Sequence, residues 1–199
     1  MPTSALRANL RSAVHRLLWP WGIDIRKLRK DRVVLERVIF PYLKSREDFR
    51  RILFVGCAWY TQHYPSLFAD REFITLEIDP GESRFGGPRH IIDSCENLPA
   101  HFQPNSLDVV VFTGVYGFGL NQMPAIRKSL LGIYQSLRPG GLFIFGWNDR
   151  PATAPYRFEE LQGLEQFQPE VFPPLGTDRY ELNIKNGHIF NFFTKAEVR

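Results

Sequence analysis

Residues 51–64 read RILFVGCAWYTQHY, and how this stretch is understood decides the rest of the chain. Ile52 to Val55 form a continuous apolar run and Gly56 follows at once, the pattern of a buried strand entering a tight turn. Such a turn usually carries several glycines, because only a residue without Cβ lets the backbone reach positive φ and approach a ligand closely. Here Ala58 and Tyr60 stand where later glycines would be. The stretch therefore predicts a strand followed by a turn that must be held in some other way.

Four further apolar runs follow: EFITLEID (72–79), RHIID (89–93), LDVVVFTG (107–114) and GLFIFGW (141–147). Runs so continuous in β-branched and large apolar residues fit strands covered on both faces. Between the last two, Ile126, Leu130, Ile133, Tyr134 and Leu137 recur at helical spacing behind Pro124, and RPGG at 138–141 ends the helix. Another helix is predicted before the first strand, with Leu35, Val38, Ile39, Tyr42 and Leu43 on one face and a kink at Pro41. Only PGESRFGGP separates Asp79 from Arg89, too few residues for an ordinary crossover helix. The tail, RYELNIKNGHIFNFFTK (179–195), places two strand-like runs around Asn186-Gly187, which predicts a β-hairpin with a two-residue turn at positive φ. The Pro-rich stretch 148–178 is read as a partly irregular cover over the site. The fold class is α/β: a doubly wound, mostly parallel sheet closed by an antiparallel hairpin.

The chain of 199 residues is 44% hydrophobic and 14% aromatic, enough for one substantial core. Cys57 and Cys95 lack metal-type or disulfide-framework spacing, so no metal site is expected and a reducing, cytoplasmic location is. No run is long and apolar enough to span a bilayer. Residues 1–32 hold eight Lys/Arg against Asp24 and Asp31, whereas the whole chain is only +4, so the remainder is slightly acidic and offers no surface for a nucleic-acid backbone. In this leader Leu6, Leu10, Val14, Leu17 and Leu18 share a helical face beside Arg7, Arg11 and His15. The organisation is a basic amphipathic helix and connector at 1–30, followed by a domain at 31–199. The helix either docks on the domain or, aided by Trp19 and Trp21, lies at the inner membrane face.

Ligands of open α/β sheets bind beyond the carboxyl ends of the strands. The residues at those ends are Gly56-Cys57-Ala58, Glu77-Ile78-Asp79, Asp93-Ser94-Cys95, Gly114-Val115-Tyr116 and Trp147-Asn148-Asp149. With ILFVGC, LEIDPGE, ENLPAHFQPNSLDVVVFTGV and LRPGGLFIFGW in that order, the chain resembles the class I S-adenosylmethionine-dependent methyltransferases of the type 11 kind. The resemblance runs from about Arg51 to Asp149 and resumes at the terminal hairpin. It implies S-adenosyl-L-methionine as cofactor, with Gly56, Cys57, Ala58 and Tyr60 in the altered turn and Glu77 or Asp79 on the ribose hydroxyls. Ile78 lies beside them, Asp93 or Ser94 meets the adenine amino group with Cys95 as a backbone donor, and Gly114, Val115 and Tyr116 stand at the fourth strand end. Phe54 takes the place of the family's motif-opening acid.

Asp93 reads equally as a cap of the turn at Cys95, and Tyr116 and Phe118 as either a cofactor rim or loop packing. Transfer from a sulfonium requires alignment more than a fixed catalytic group, but a hydroxyl or protonated amine acceptor needs a base. Asp149, Tyr116 and His63 are the candidates, while His90 enters its strand at the far end and reads as structural. The expected activity is methyl transfer to a small-molecule or envelope-precursor acceptor. The competing reading is a non-catalytic module of the same fold that docks on a partner or membrane through its leader. A nicotinamide oxidoreductase is disfavoured by the missing glycine fingerprint and the terminal hairpin.

Overall fold

The strand read from residues 51–55 lies in the middle of the sheet. The computed structural model describes residues 30–196. β1 (Arg51–Val55) pairs in parallel with β2 (Glu72–Glu77) on one side and β4 (Leu107–Thr113) on the other. β3 (Arg89–Ile92) extends the sheet beyond β2, and β5 (Leu137–Asn148) lies beyond β4. β8 (His188–Thr194) runs antiparallel to β5, with the short β6 (Gln168–Pro169) and β7 (Arg179–Glu181) pairing on its far side. The order is β3-β2-β1-β4-β5-β8-β6, a mostly parallel sheet of eight strands with an antiparallel closure.

Alternation along the strands sorts the core into two layers. Leu53, Val55, Ile74, Leu76, Val110, Phe112, Phe143 and Phe145 face one side, under Leu98 of the one-turn α4 (Leu98–His101) and Ile126, Leu130 and Ile133 of α5 (Met123–Ser136). Ile52, Phe54, Phe73, Val109, Val111, Leu142 and Ile144 face the other, under the helix that precedes β1. Each of these large side chains, taken out of water, contributes about 1.5–3 kcal/mol. Phe54 is fully buried there, against Tyr64 of α3 (Tyr64–Leu67) and Phe73.

The helix before β1 has three parts: α1 (Lys30–Val34), a π segment (Leu35–Ile39) and α2 (Phe40–Ser45). Pro41 explains the middle one. Its ring collides with the carbonyl four residues back and it brings no N–H, so the chain widens by one residue, and the Phe40 amide bonds Leu35 O instead. This re-phases the buried face to Leu35, Ile39, Phe40 and Leu43, leaving Val38 and Tyr42 only half-buried. It also turns Asp31 and Arg32 inward. Both are buried, which removes them from any membrane-facing surface of residues 1–32; the amphipathic helix and connector of residues 1–29 lie outside the described residues. Among the described residues no helix is long and apolar enough to cross a membrane.

Between β2 and β3 only a 3-10 turn, Pro80–Phe85, makes the crossover. The helix is indeed missing, and a polar knot takes its place: the Thr75 hydroxyl accepts from Gly87 N and lies 2.9 Å from His90 Nδ1. His90 is structural. At the amino edge of the sheet Asp108 Oδ2 accepts from the Arg50 and Arg51 amides, and its Oδ1 from Arg138 Nε at 2.7 Å, tying β1, β4 and β5 together. RPGG is no loop, because β5 starts at Leu137 and runs through it, with Gly140 at φ +68.

The hairpin forms, but not on a two-residue turn. Leu182 N bonds His188 O and Gly187 N bonds Ile184 O, and Gly187 alone has positive φ. The longer loop lets Asn186 Nδ2 donate to Asn148 Oδ1, bringing the turn over the end of β5. Of the stretch 148–178, Leu161, Leu164 and Phe167 pack on the α5 side of the sheet and Phe172 on the other, and beyond Asn148 none of it lines the cavities at the carboxyl edge.

Candidate functional site

In the turn after β1 the backbone needs one glycine. Gly56 has φ +95, and a Cβ there would stand 2.8 Å from Thr113 O and 3.1 Å from Val115 Cγ2. The rest of the turn is held by Thr61, which is buried. Its hydroxyl accepts from Ala58 N at 3.0 Å and donates to Ala58 O at 2.9 Å, while its amide bonds the same carbonyl. Among the described residues only Asn105 combines a side chain with positive φ, so Ala58 and Tyr60 sit in the turn without backbone strain. A threonine does here what later glycines would do.

Glu77 closes β2 and reaches across to this turn. Its Oε2 accepts from Cys57 N at 2.9 Å and its Oε1 from Asp79 N at 3.0 Å. Each oxygen keeps a second lone pair, and the side chain borders a cavity of about 160 Å³. Gly56, Ile78, Asp93, Ser94, Cys95, Gly114, Val115 and Phe118 also border it. Ile78 and Phe118 are more than half exposed. Neither Trp59 nor Tyr60 is in this lining.

Asp79 is turned to the surface, where its Oδ1 caps the 3-10 turn by accepting from Gly81 N at 2.8 Å. Asp93 is committed as well. Its Oδ1 accepts from Ser94 N and Asn97 Nδ2, and its Oδ2 lies 2.7 Å from His101 Nε2. These partners, His101 first, pull its pKa down to about 2 from an ordinary 3.8. A depressed carboxyl stabilises the fold fully above its unfolded value, and that contribution is lost as pH falls through the folded one. Carboxyl-carbon NMR should therefore show Asp93 titrating near 2, and His101→Ala should move its midpoint up toward 3.8. The Ser94 hydroxyl, not Asp93, caps the turn at Cys95, accepting from Glu96 N. Cys95 lies buried with Sγ 3.3 Å from Ser129 Oγ, and burial, then Glu77, pushes the Cys57 thiol up to about 12. Both thiols are buried packing groups.

A second chamber of about 60 Å³ adjoins the first through Gly114 and Phe118. Asp31, Arg32 and Tyr60 form one wall; Trp147, Asn148, Asn186 and His188 form the other. His188 is buried, and its Nδ1 lies 2.7 Å from Asn148 Oδ1. Since that carbonyl oxygen can only accept, Nδ1 donates to it.

No protein-family model and no curated protein matches the sequence. Solved structures do match the arrangement of its strands. The N-methyltransferase NodS from Bradyrhizobium japonicum WM9, in complex with S-adenosyl-L-homocysteine, superposes with a TM-score of 0.63 at 17% identity, over 89% of this chain and 92% of that one. A TehB-like SAM-dependent methyltransferase from Corynebacterium glutamicum gives 0.59 at 16% identity, over 95% and 98%. The 1,6-didemethyltoxoflavin-N1-methyltransferase of Burkholderia thailandensis gives 0.57 at 14%, over 99% and 92%. The chain has the class I methyltransferase fold.

Several expected site residues hold their places at the carboxyl edge of this methyltransferase fold, and others do not. Gly56, Glu77, Ile78, Asp93, Ser94, Cys95, Gly114 and Val115 converge on one cavity. Cys57 contributes its amide through Glu77, Ala58 only its place in the turn, and Tyr60 the second chamber. Tyr116 is neither rim nor base. It is fully buried beside Phe145 and Trp147, donates to Tyr156 O at 2.6 Å and accepts from Tyr156 N at 3.0 Å. His63 faces Glu36 at 3.3 Å and borders neither chamber. Asp149 is exposed and likewise outside both. Thr61, Arg32 and His188 are the residues the sequence did not single out. Arg32 and His188, from opposite ends of the domain, meet in the second chamber, and Thr61 acts on the turn after β1.

Proposed function

We propose that the chain is an S-adenosylmethionine-dependent methyltransferase acting on a small-molecule acceptor. Glu77 carries this reading. A carboxylate fixed at a strand end by two backbone amides, with one acceptor position left on each oxygen, suits a vicinal pair of hydroxyls such as a nucleoside ribose. Ile78 and Val115 supply apolar flanks for a flat base beside it, with Ser94 at the polar end, and Gly56 leaves the floor of the cradle free of a Cβ. These residues fit the donor nucleoside. Bound there, S-adenosylmethionine supplies a methyl group already activated by its sulfonium, so the protein's part is to align it and exclude water.

The acceptor is assigned to the second chamber, which His188 and Asn148 line and which Asp149, Tyr116 and His63 do not border. The bound 1,6-didemethyltoxoflavin in the Burkholderia thailandensis enzyme supports a small molecule as the acceptor class. The rings of Trp59 and Tyr60 stay out of the Glu77 cavity, which favours donor binding over the non-catalytic reading. Titration calorimetry of the intact protein with S-adenosyl-L-homocysteine should give saturable one-to-one binding. Absence of heat from folded protein overturns the proposal.

A further inference from the structure

Opposite the two chambers, at the amino edge of the sheet, α2, β5 and β8 border a cleft of about 610 Å³. Tyr42, Phe49, Leu142 and Phe172 give it an apolar base, and Glu170 stands at its rim. Two cations that border it are engaged elsewhere. Arg46 is held by both oxygens of Asp48, and Lys195 Nζ donates to Tyr134 O and Asn105 Oδ1. Glu170 is exposed and has no ion-pair partner among the described residues.

Glu170 belongs to an acidic run. Residues 159–181 hold six carboxylates against Arg179, and Glu159 and Glu165 are likewise exposed without an ion pair among the described residues. Residues 1–29, outside the described residues, have the opposite balance, six Lys/Arg against Asp24. There Leu6, Leu10, Val14, Leu17 and Leu18 recur at helical spacing beside Arg7 and Arg11, so an apolar stripe and a basic one run together. An apolar cleft with an unpaired carboxylate at its rim is their complement.

The chain is long enough to bring them together. The helix from Lys30 to Ser45 runs from the carboxyl edge down to this cleft, a span of about 24 Å. Residues 19–29, kept from continuing a helix by Pro20 and Gly22, reach about 36 Å when extended and can carry the leader back alongside. The cleft left by the missing crossover helix suits a basic helix less well, because Arg71 and Arg89 border it and its Glu72 is already held by Arg51 and Arg89. The two chambers at the carboxyl edge are too small for a helix about 10 Å across.

We propose that residues 5–18 dock as a helix in the amino-edge cleft of their own chain, with Leu6, Leu10, Val14 and Leu17 toward its apolar base and the arginines toward Glu170 and the acidic run. Docked there, the leader clasps α2 to the strands beyond β5 and leaves the carboxyl edge open. The contact is independent of what that edge binds.

A nitroxide on Ser12→Cys of the full-length protein reads this directly, since Cys57 and Cys95 are buried and Ser12 lies away from the apolar stripe. It should broaden the amide signals of residues 42–46 and 170–172 and spare those of Glu77, Asp93 and Gly114. Leu10→Asp should abolish that broadening while the remaining signals keep their places, and Glu170→Lys should reduce it, as should rising salt. Uniform broadening across the domain, or none, overturns the proposal, whether or not the protein then sediments with phosphatidylserine-containing vesicles. The same selective broadening in isotope-labelled chains that carry no nitroxide, mixed with nitroxide-labelled chains, also overturns it, because the leader would then be held by a second copy.

Discussion

Glu77→Ala is expected to lower affinity for S-adenosyl-L-homocysteine by about two to three orders of magnitude, measured by titration calorimetry. Two hydrogen bonds to a charged carboxylate, each contributing roughly 1.5–3 kcal/mol, support that range after part of the effect is absorbed by water entering the gap. The substitution acts twice. Besides the ligand contacts it removes the acceptors of the Cys57 and Asp79 amides, which hold the turn after β1 against the end of β2. Glu77→Gln keeps one oxygen and the shape but loses the charge, so an effect of roughly tenfold is expected from it. A thermal melt beside the titration shows how much of the loss comes from the loosened turn. Equal binding by wild type and Glu77→Ala contradicts the assigned role.

Gly56→Ala is expected to destabilise the fold by about 2–4 kcal/mol. The residue has φ +95, where an L side chain is strained by roughly 1–2 kcal/mol. The added methyl must also displace a backbone oxygen, Thr113 O, that would lie 2.8 Å away. Nothing flexible stands there to yield. β1 and β4 would have to part at their carboxyl ends, where the cavity forms, so binding should fall with stability. For a chain of this length the shift corresponds to a fall in Tm of about 5–15 °C, readable by circular dichroism. A melt within a degree of wild type would show that the strand ends are less tightly set than their geometry indicates.

How far the sequence discloses this molecule depends on distance along the chain. The strands were legible because their apolar runs are continuous and each side chain meets a cover. The shortened β2–β3 crossover was legible because nine residues cannot make a helix and return. Gly56 and Glu77 could be placed because each stands at the carboxyl end of a strand, where the fold puts its ligands. Tyr116 misled because a tyrosine at a strand end can turn either way. The backbone of Tyr156, forty residues later, satisfies its hydroxyl and decides the direction. Pro41 announced a kink, but not that the kink would be a π segment carrying Asp31 and Arg32 into the site. By charge those two residues belong to a basic leader, and charge alone gives no hint of burial. Asn186-Gly187 signalled the hairpin correctly, yet the bond from Asn186 to Asn148 lengthens the loop, a contact between segments thirty-eight residues apart. Local pattern reports local structure, and the chamber is made of distant pieces.

The most direct measurement is a crystal structure of the protein grown with saturating S-adenosyl-L-homocysteine. The expected result is a ribose whose two hydroxyls lie within hydrogen-bonding distance of Glu77 Oε1 and Oε2, with the base between Ile78 and Val115. A ligand-free strand edge at that concentration, or a nucleoside bound elsewhere while Glu77 keeps only its Cys57 and Asp79 amides, would contradict it.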